Sequence, residues 1–134
     1  MAPTGIHHFG VAVEDLDEAV ETYGRLFGAE LEHREQVPDQ GVEAVLLRVG
    51  SSRVELLASL GGETPVGKFL AKRGPGMHHV AFGVADISAE LSRLAAEGAE
   101  LIDDGPRRGL YGWQVAFVHP DAAHGVLTEL VADG

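Results

Sequence analysis

Two stretches decide how this chain folds: residues 7–31, HHFGVAVEDLDEAVETYGRLFGAEL, and residues 78–101, HHVAFGVADISAELSRLAAEGAEL. Each opens on a histidine pair, continues through an apolar run ending at Val13 or Val84, and meets an aspartate two residues later, Asp15 or Asp86. Each then becomes helical in pattern and closes on Gly-Ala-Glu-Leu. The second histidines of the pairs are 71 positions apart and the closing tetrads 70, so the two copies differ by one residue over this span. A repeat at about half the chain length predicts two copies of one supersecondary unit.

Within a copy the local physics is plain. The run from His8 to Val13 has the length of a strand. Asp15 stands at an N-cap position with Glu18 three residues on, the pattern of a capping box. Leu16, Ala19, Val20, Tyr23, Leu26 and Phe27 follow the spacing of one helix face, and Gly28 occupies the C′ position. The second copy repeats this with Asp86, Ile87, Leu91, Leu94, Ala95 and Gly98. Strand-like runs follow each helix: Leu31–Glu35, Val42–Val49 and Arg53–Ala58 in the first copy, Glu100–Ile102, Gln114–His119 and Val126–Val131 in the second. The expected organisation is one domain over 1–134. It consists of a first βαβββ module over 6–58, a linker with a short helix near Val66–Arg73 over 59–76, and a second module over 77–131. The class is α+β, with helices on one face of curved mixed sheets and a cleft between the opposite faces.

Composition removes several function classes. The chain has 134 residues and no cysteine, which excludes disulfides, thiolate nucleophiles and iron–sulfur clusters. A net charge of −11 argues against nucleic-acid binding. No apolar run reaches the length of a membrane span, and the first residues lack the features of a secretory signal, so a cytoplasmic location is expected. Ten of the 21 acidic residues lie between Glu14 and Glu43. Five of the ten basic ones, Lys68, Lys72, Arg73, Arg107 and Arg108, lie in two short stretches that are either solvated patches or an anion-binding surface. No glycine-rich nucleotide loop is present.

The repeat also carries the chemistry. A histidine opens the first strand of each copy, and a glutamate, Glu55 or Glu129, sits in the last; the separations are 47 residues from His8 and 50 from His79. Two-fold packing of the copies would bring two imidazoles and two carboxylates to one point, a donor set suited to a divalent first-row metal. Neighbours on a strand point to opposite faces, so one of His7 and His8, and one of His78 and His79, faces the cleft. Both faces are apolar, and counting by twos does not choose. His33, His119 and His124 read as surface or supporting residues, with His119, before Pro120, best placed to support the site.

These residues resemble the vicinal oxygen chelate superfamily, in which paired βαβββ modules surround a divalent metal. Within it the similarity is to the methylmalonyl-CoA epimerase family and runs from about Ile6 to Leu130. It is carried in order by residues 8–19, Gln40-Gly41-Val42-Glu43, Val54-Glu55-Leu56-Leu57, residues 68–74, residues 76–82, and His119-Pro120 followed by residues 125–130. The resemblance implies that His8, Glu55, His79 and Glu129 are the metal ligands. It places Glu43 as a catalytic carboxylate outside the metal shell and Glu129 as a second acid–base group, with a water as the rival for that second role. Glu stands at position 55 where some members have Gln. Asp121 stands after the His-Pro where the family usually has Lys, which leaves that position without a cation for the substrate.

The activity implied is epimerisation of methylmalonyl-CoA: the C2 proton is removed, the enolate is stabilised electrostatically, and a proton is returned to the other face. The cofactor implied is one divalent ion, Co²⁺ by the resemblance, with Mn²⁺, Ni²⁺, Zn²⁺ and Fe²⁺ compatible with the donors. The expected partners are an acyl-CoA substrate and a second copy in a homodimer. Gln40, Lys68, Lys72, Arg73, Arg107 and His119 are the candidate substrate contacts. The rival readings are a glyoxalase-type lyase or isomerase on the same scaffold and a metal-free antibiotic-binding protein.

Overall fold

Asp15 begins the first helix by accepting a hydrogen bond from the Glu18 N–H at 3.0 Å, and Asp86 does the same for Ala89 at 3.1 Å. Each cap satisfies a donor that the first helical turn would otherwise leave unpaired. In the computed structural model, which describes residues 2–134, these caps start α1 (Leu16–Phe27) and α3 (Ile87–Ala96). Gly28, at φ +66°, and Gly98, at φ +86°, stop them in the left-handed region.

The remaining elements, in chain order, are β1 (Gly5–Ala12), β2 (Glu30–Val37), β3 (Val42–Val49), β4 (Ser52–Ser59), α2 (Pro65–Arg73), β5 (Gly76–Gly83), β6 (Arg107–Arg108), β7 (Gln114–Val118) and β8 (Thr128–Ala132). Short 3-10 turns follow β2, β6 and β7. The class is α+β, with three helices and eight strands among the described residues.

The chain divides into two compact units. In the first, His8–His78, the strands lie in the order β2-β3-β4-β1; β1 runs parallel to β4 and the others are antiparallel. α1 covers one face of this sheet through Leu16, Val45, Leu47 and Leu56, all buried. The helical stripe outruns its core. Leu26 and Phe27 belong to it by spacing yet are exposed, Phe27 resting edge-on against Tyr23 at 5.5 Å. α2 is capped by the Thr64 hydroxyl, which accepts from the Gly67 N–H at 3.1 Å. The turn into β3 needs glycine twice over. Gly41 has φ +70°, and a Cβ there would lie 2.6 Å from the Thr64 methyl group.

The second unit is His79–Gly134 joined by the residues up to His7. Its strand order is β5-β8-β7-β6, with β5 parallel to β8. α3 packs through Ile87 and Leu91 on Ala116, Val118 and Leu130. One expected strand differs. Glu100–Ile102 contributes a single bridge, Leu101 to Val118. The Asp103 carboxylate accepts from the Phe117 N–H at 2.8 Å, taking a donor of β7 and ending the pairing there. The two-residue β6 is the strand that pairs with β7 over Val115 and Gln114.

Candidate active site

In the first unit the register places the donors. Gly10 pairs with Glu55 and Ala12 with Leu57, so His8, two residues before Gly10, lies on the face of the sheet that carries Glu55. His8 Nε2 is 3.2 Å from Glu55 Oε1, and both residues are buried. His7 turns the other way. Its Nε2 lies 2.7 Å from Asp133 Oδ2, and its ring meets Trp113 edge-on at 4.5 Å.

The second unit repeats the arrangement. Ala81 pairs with Glu129, so His79 shares the Glu129 face, and His79 Nε2 lies 3.5 Å from Glu129 Oε1 with both residues buried. His78 lies on the opposite face of β5, edge-on to Phe69 at 5.1 Å. Phe117, the cross-strand partner of Glu129, stands against His79 at 5.8 Å, and the Arg107 guanidinium lies 5.7 Å from the Phe117 ring.

These four buried side chains are a set that could hold a metal ion. The chemistry fits. Donors bound at ~2.1 Å stand about 3.0 Å apart across a right-angle edge and about 3.4 Å across a tetrahedral one; the two pairs measure 3.2 and 3.5 Å. Carboxylates exposed by only 4%, as Glu55 and Glu129 are, carry a large desolvation cost that a bound cation offsets. Two imidazole nitrogens and two carboxylate oxygens suit a first-row divalent ion.

Glu43 requires a correction. On β3 it pairs with Ala58, whereas Leu46 pairs with Glu55. Directly opposed residues share a face and odd separations alternate, so Glu43 lies on the α1 side of the sheet, with Val45 and Leu47, away from His8 and Glu55. There its Oε2 accepts from Arg34 Nε at 2.9 Å, while Arg34 also donates to Asp17 of α1 at 2.6 Å. Asp17 first, then Glu43, holds the Arg34 guanidinium above its ordinary pKa. Arg34, which sequence reading passed over, thus ties helix to sheet, and the expected catalytic carboxylate is half of that tie.

Lys68, Lys72 and Arg73 are exposed on α2, the Arg73 guanidinium 5.6 Å from the Phe69 ring, and Gln40 is half-buried in the turn before β3. His119 caps the turn Pro120–Ala123, its Nδ1 accepting from the Asp121 N–H at 3.0 Å and its Nε2 lying 3.7 Å from Glu100 Oε2. Arg107 shares the Glu129 face, since it pairs with Val115, two residues from Phe117. Arg108 points to the opposite face. His33 and Glu35 were passed over as a pair, although a two-residue spacing on a strand puts both on one face; His33 Nε2 is 2.7 Å from Glu35 Oε1.

A family model described as "Glyoxalase/Bleomycin resistance protein/Dioxygenase superfamily" matches residues 7–117. The chain belongs to this superfamily. Among its members, the ethylmalonyl-CoA/methylmalonyl-CoA epimerase of Cereibacter sphaeroides is 36% identical over 127 residues, covering 93% of this chain and 95% of the relative. A solved structure of a methylmalonyl-CoA epimerase in complex with methylmalonyl-CoA and NH4+ is 41% identical, covers 99% of this chain and 96% of its own, and superposes with a TM-score of 0.96. A Streptomyces coelicolor methylmalonyl-CoA epimerase variant in complex with 2-nitronate-propionyl-CoA matches at the same identity, the same coverages and the same TM-score. The α+β architecture read from the repeat is the fold of these superfamily members. Among the described residues no helix is long and apolar enough to cross a membrane.

Proposed function

We propose that this chain is an enzyme that interconverts the two C2 epimers of methylmalonyl-CoA with the help of one divalent metal ion. The observation that carries the reading is the pair of buried His–Glu couples, His8 with Glu55 and His79 with Glu129, at equivalent places in two units. They occur in a chain 36% and 41% identical to epimerases of this substrate. The ligand of the Streptomyces coelicolor relative supports the chemistry: a nitronate is a planar anion and imitates an enolate.

His8 and His79 would offer Nε2, and Glu55 and Glu129 one oxygen each, to the ion. When bound, the ion would supply positive charge toward the thioester oxygen of the substrate, where charge builds as C2 loses its proton. The protein does the rest. Phe117 covers one side of His79 with an apolar ring and keeps water from it. Arg107, spread over Phe117 on the Glu129 face, offers a cation to the substrate carboxylate. Inversion at C2 needs a proton removed from one face and returned to the other. Glu129 is one such group by the resemblance. The acyl-CoA ligand gives the Lys68, Lys72 and Arg73 cluster on α2 a role against a net charge of −11, as an attraction for phosphates. Cobalt as the ion, a homodimer as the assembly and the cytoplasm as the location complete the proposal.

The test is exchange of the C2 proton of methylmalonyl-CoA in D₂O, with and without a chelator, alongside a glutathione hemithioacetal. Exchange that the chelator stops and that the hemithioacetal does not match is expected. Turnover of the hemithioacetal alone would assign a glyoxalase-type reaction, and protein loaded with Co²⁺ or Mn²⁺ that turns over neither compound would overturn the enzyme reading.

A further inference from the structure

With Glu43 on the far side of its sheet, the first unit has no assigned group to meet the C2 proton. The register of β2 supplies one. Glu35 pairs with Ala44, and Ala44 with Leu57; His33 pairs with Leu46, and Leu46 with Glu55. His33 and Glu35 therefore lie on the same face as Glu55, Leu57 and His8. They do so because of a bulge: pairing shifts by one residue between Leu31 and His33, and without that shift the strand would present Arg34 on this face. Leu46 and Ala44 are fully buried and apolar, so His33 and Glu35 border an apolar floor whose opposite border carries the His8–Glu55 couple. The span from the His33 row to the Glu55 row is two strand spacings, about 10 Å, the width of a groove that holds a small acyl group.

We propose that Glu35, oriented by His33, is a proton-transfer group of the epimerisation, acting on C2 from the first unit. The inference rests on the epimerase reading given above. The neighbouring carboxylate on this face, Glu32, is a poor alternative. It accepts from Arg53 Nε and Nη2 at 3.1 Å each and lies 3.4 Å from Arg48 Nη2. Arg53 first holds it below the ordinary carboxylate pKa, and a carboxylate so held is a weak base. Glu35 has an imidazole 2.7 Å away, and both side chains are half-buried, 20% and 29% exposed. The step balances. The C2–H bond breaks and an O–H bond forms on Glu35, while the electron pair moves into the C2–C1 bond and onto the thioester oxygen. A proton delivered to the opposite face of C2 completes inversion. The proton on Glu35 leaves through the His33 imidazole to water, and in the reverse direction the same path returns it. His33 is a positioning residue here and a relay to solvent.

Glu35→Gln keeps the shape of the side chain and removes its basicity. Each epimer is incubated separately in D₂O with wild type and with E35Q, and metal content and thermal midpoint are measured on the same samples. For E35Q the expected result is a hundred-fold or greater fall in epimerisation kcat with KM within three-fold. One epimer stops exchanging at C2, and the other still exchanges without inverting. H33N is expected to lower kcat about ten-fold with KM unmoved. Equal exchange of both epimers by E35Q, at any rate, overturns the assignment of Glu35 while leaving the epimerase reading intact. Wild type inert toward both epimers overturns that reading and this one together. Should E35Q lose metal or fold, E35D, which keeps the carboxylate, decides: recovery of the lost epimer's exchange supports the assignment, and its absence overturns it.

Discussion

Replacing Glu43 separates a structural carboxylate from a catalytic one. In Glu43→Gln the charged acceptor at 2.9 Å from Arg34 becomes a neutral amide, and Arg34 keeps its bond to Asp17 at 2.6 Å. A charge-assisted hydrogen bond contributes roughly 1.5–3 kcal/mol when well shielded. Arg34 and Glu43 side chains are 35% and 30% exposed, which moves the value toward that of surface pairs, so the loss is about 1 kcal/mol. For 134 residues the unfolding entropy near 60 °C is about 280 cal/mol/K, so the midpoint should fall by about 3–4 °C. A cycle with Arg34→Ala should show that the two losses do not add, because they share one bond. The kinetic outcome is the opposite of what a base would give. The kcat/KM for epimerisation should stay within about three-fold of wild type, under ~0.7 kcal/mol at the transition state, whereas loss of a general base costs about 10²–10⁴-fold. Calorimetry and C2 exchange in D₂O measure the two quantities on one preparation. A hundred-fold loss of exchange with an unchanged midpoint would refute the strand-register reasoning, because only a side chain that reaches the substrate gives that pattern.

Three further outcomes are expected. His79→Ala should purify with less than a fifth of the wild-type metal, by elemental analysis; full occupancy would remove His79 from the ligand set. Chelation of the wild type should stop C2 exchange and lower the thermal midpoint, since an ion bound only by the folded chain stabilises it by mass action; Co²⁺ or Mn²⁺ should restore both, and exchange that survives complete metal removal would contradict this. Arg93→Ala should cost about 1–3 kcal/mol, because Glu90 is buried and accepts from Arg93 at 3.0 and 2.8 Å. Arg93 depresses the Glu90 pKa, so the difference between the two proteins should be full above about pH 5 and shrink as pH falls below the ordinary carboxylate value. A difference that grew in acid would have the wrong sign.

Local chemistry wrote much of this protein into its sequence. The helix starts at Asp15 and Asp86, the stops at Gly28 and Gly98, the doubling of the unit, and the recurrence of a strand-opening histidine with a strand-closing glutamate depend on spacing within short segments. A repeat makes each visible twice. Side-chain direction depended on longer-range pairing. The choice of His8 over His7 follows from the pairing of Gly10 with Glu55, and that of His79 from the pairing of Ala81 with Glu129. Glu43 lies in an alternating strand whose two faces are both apolar, so only its partner across the sheet, Ala58, and its guanidinium, Arg34, reveal which way it turns. The bulge before His33 reverses the facing of every later residue of β2, and no residue in that stretch announces it. A one-residue shift in register exchanges the two faces of a strand. The residue types needed for the chemistry were therefore legible in one dimension, while which of them share a face was decided by the folded sheet.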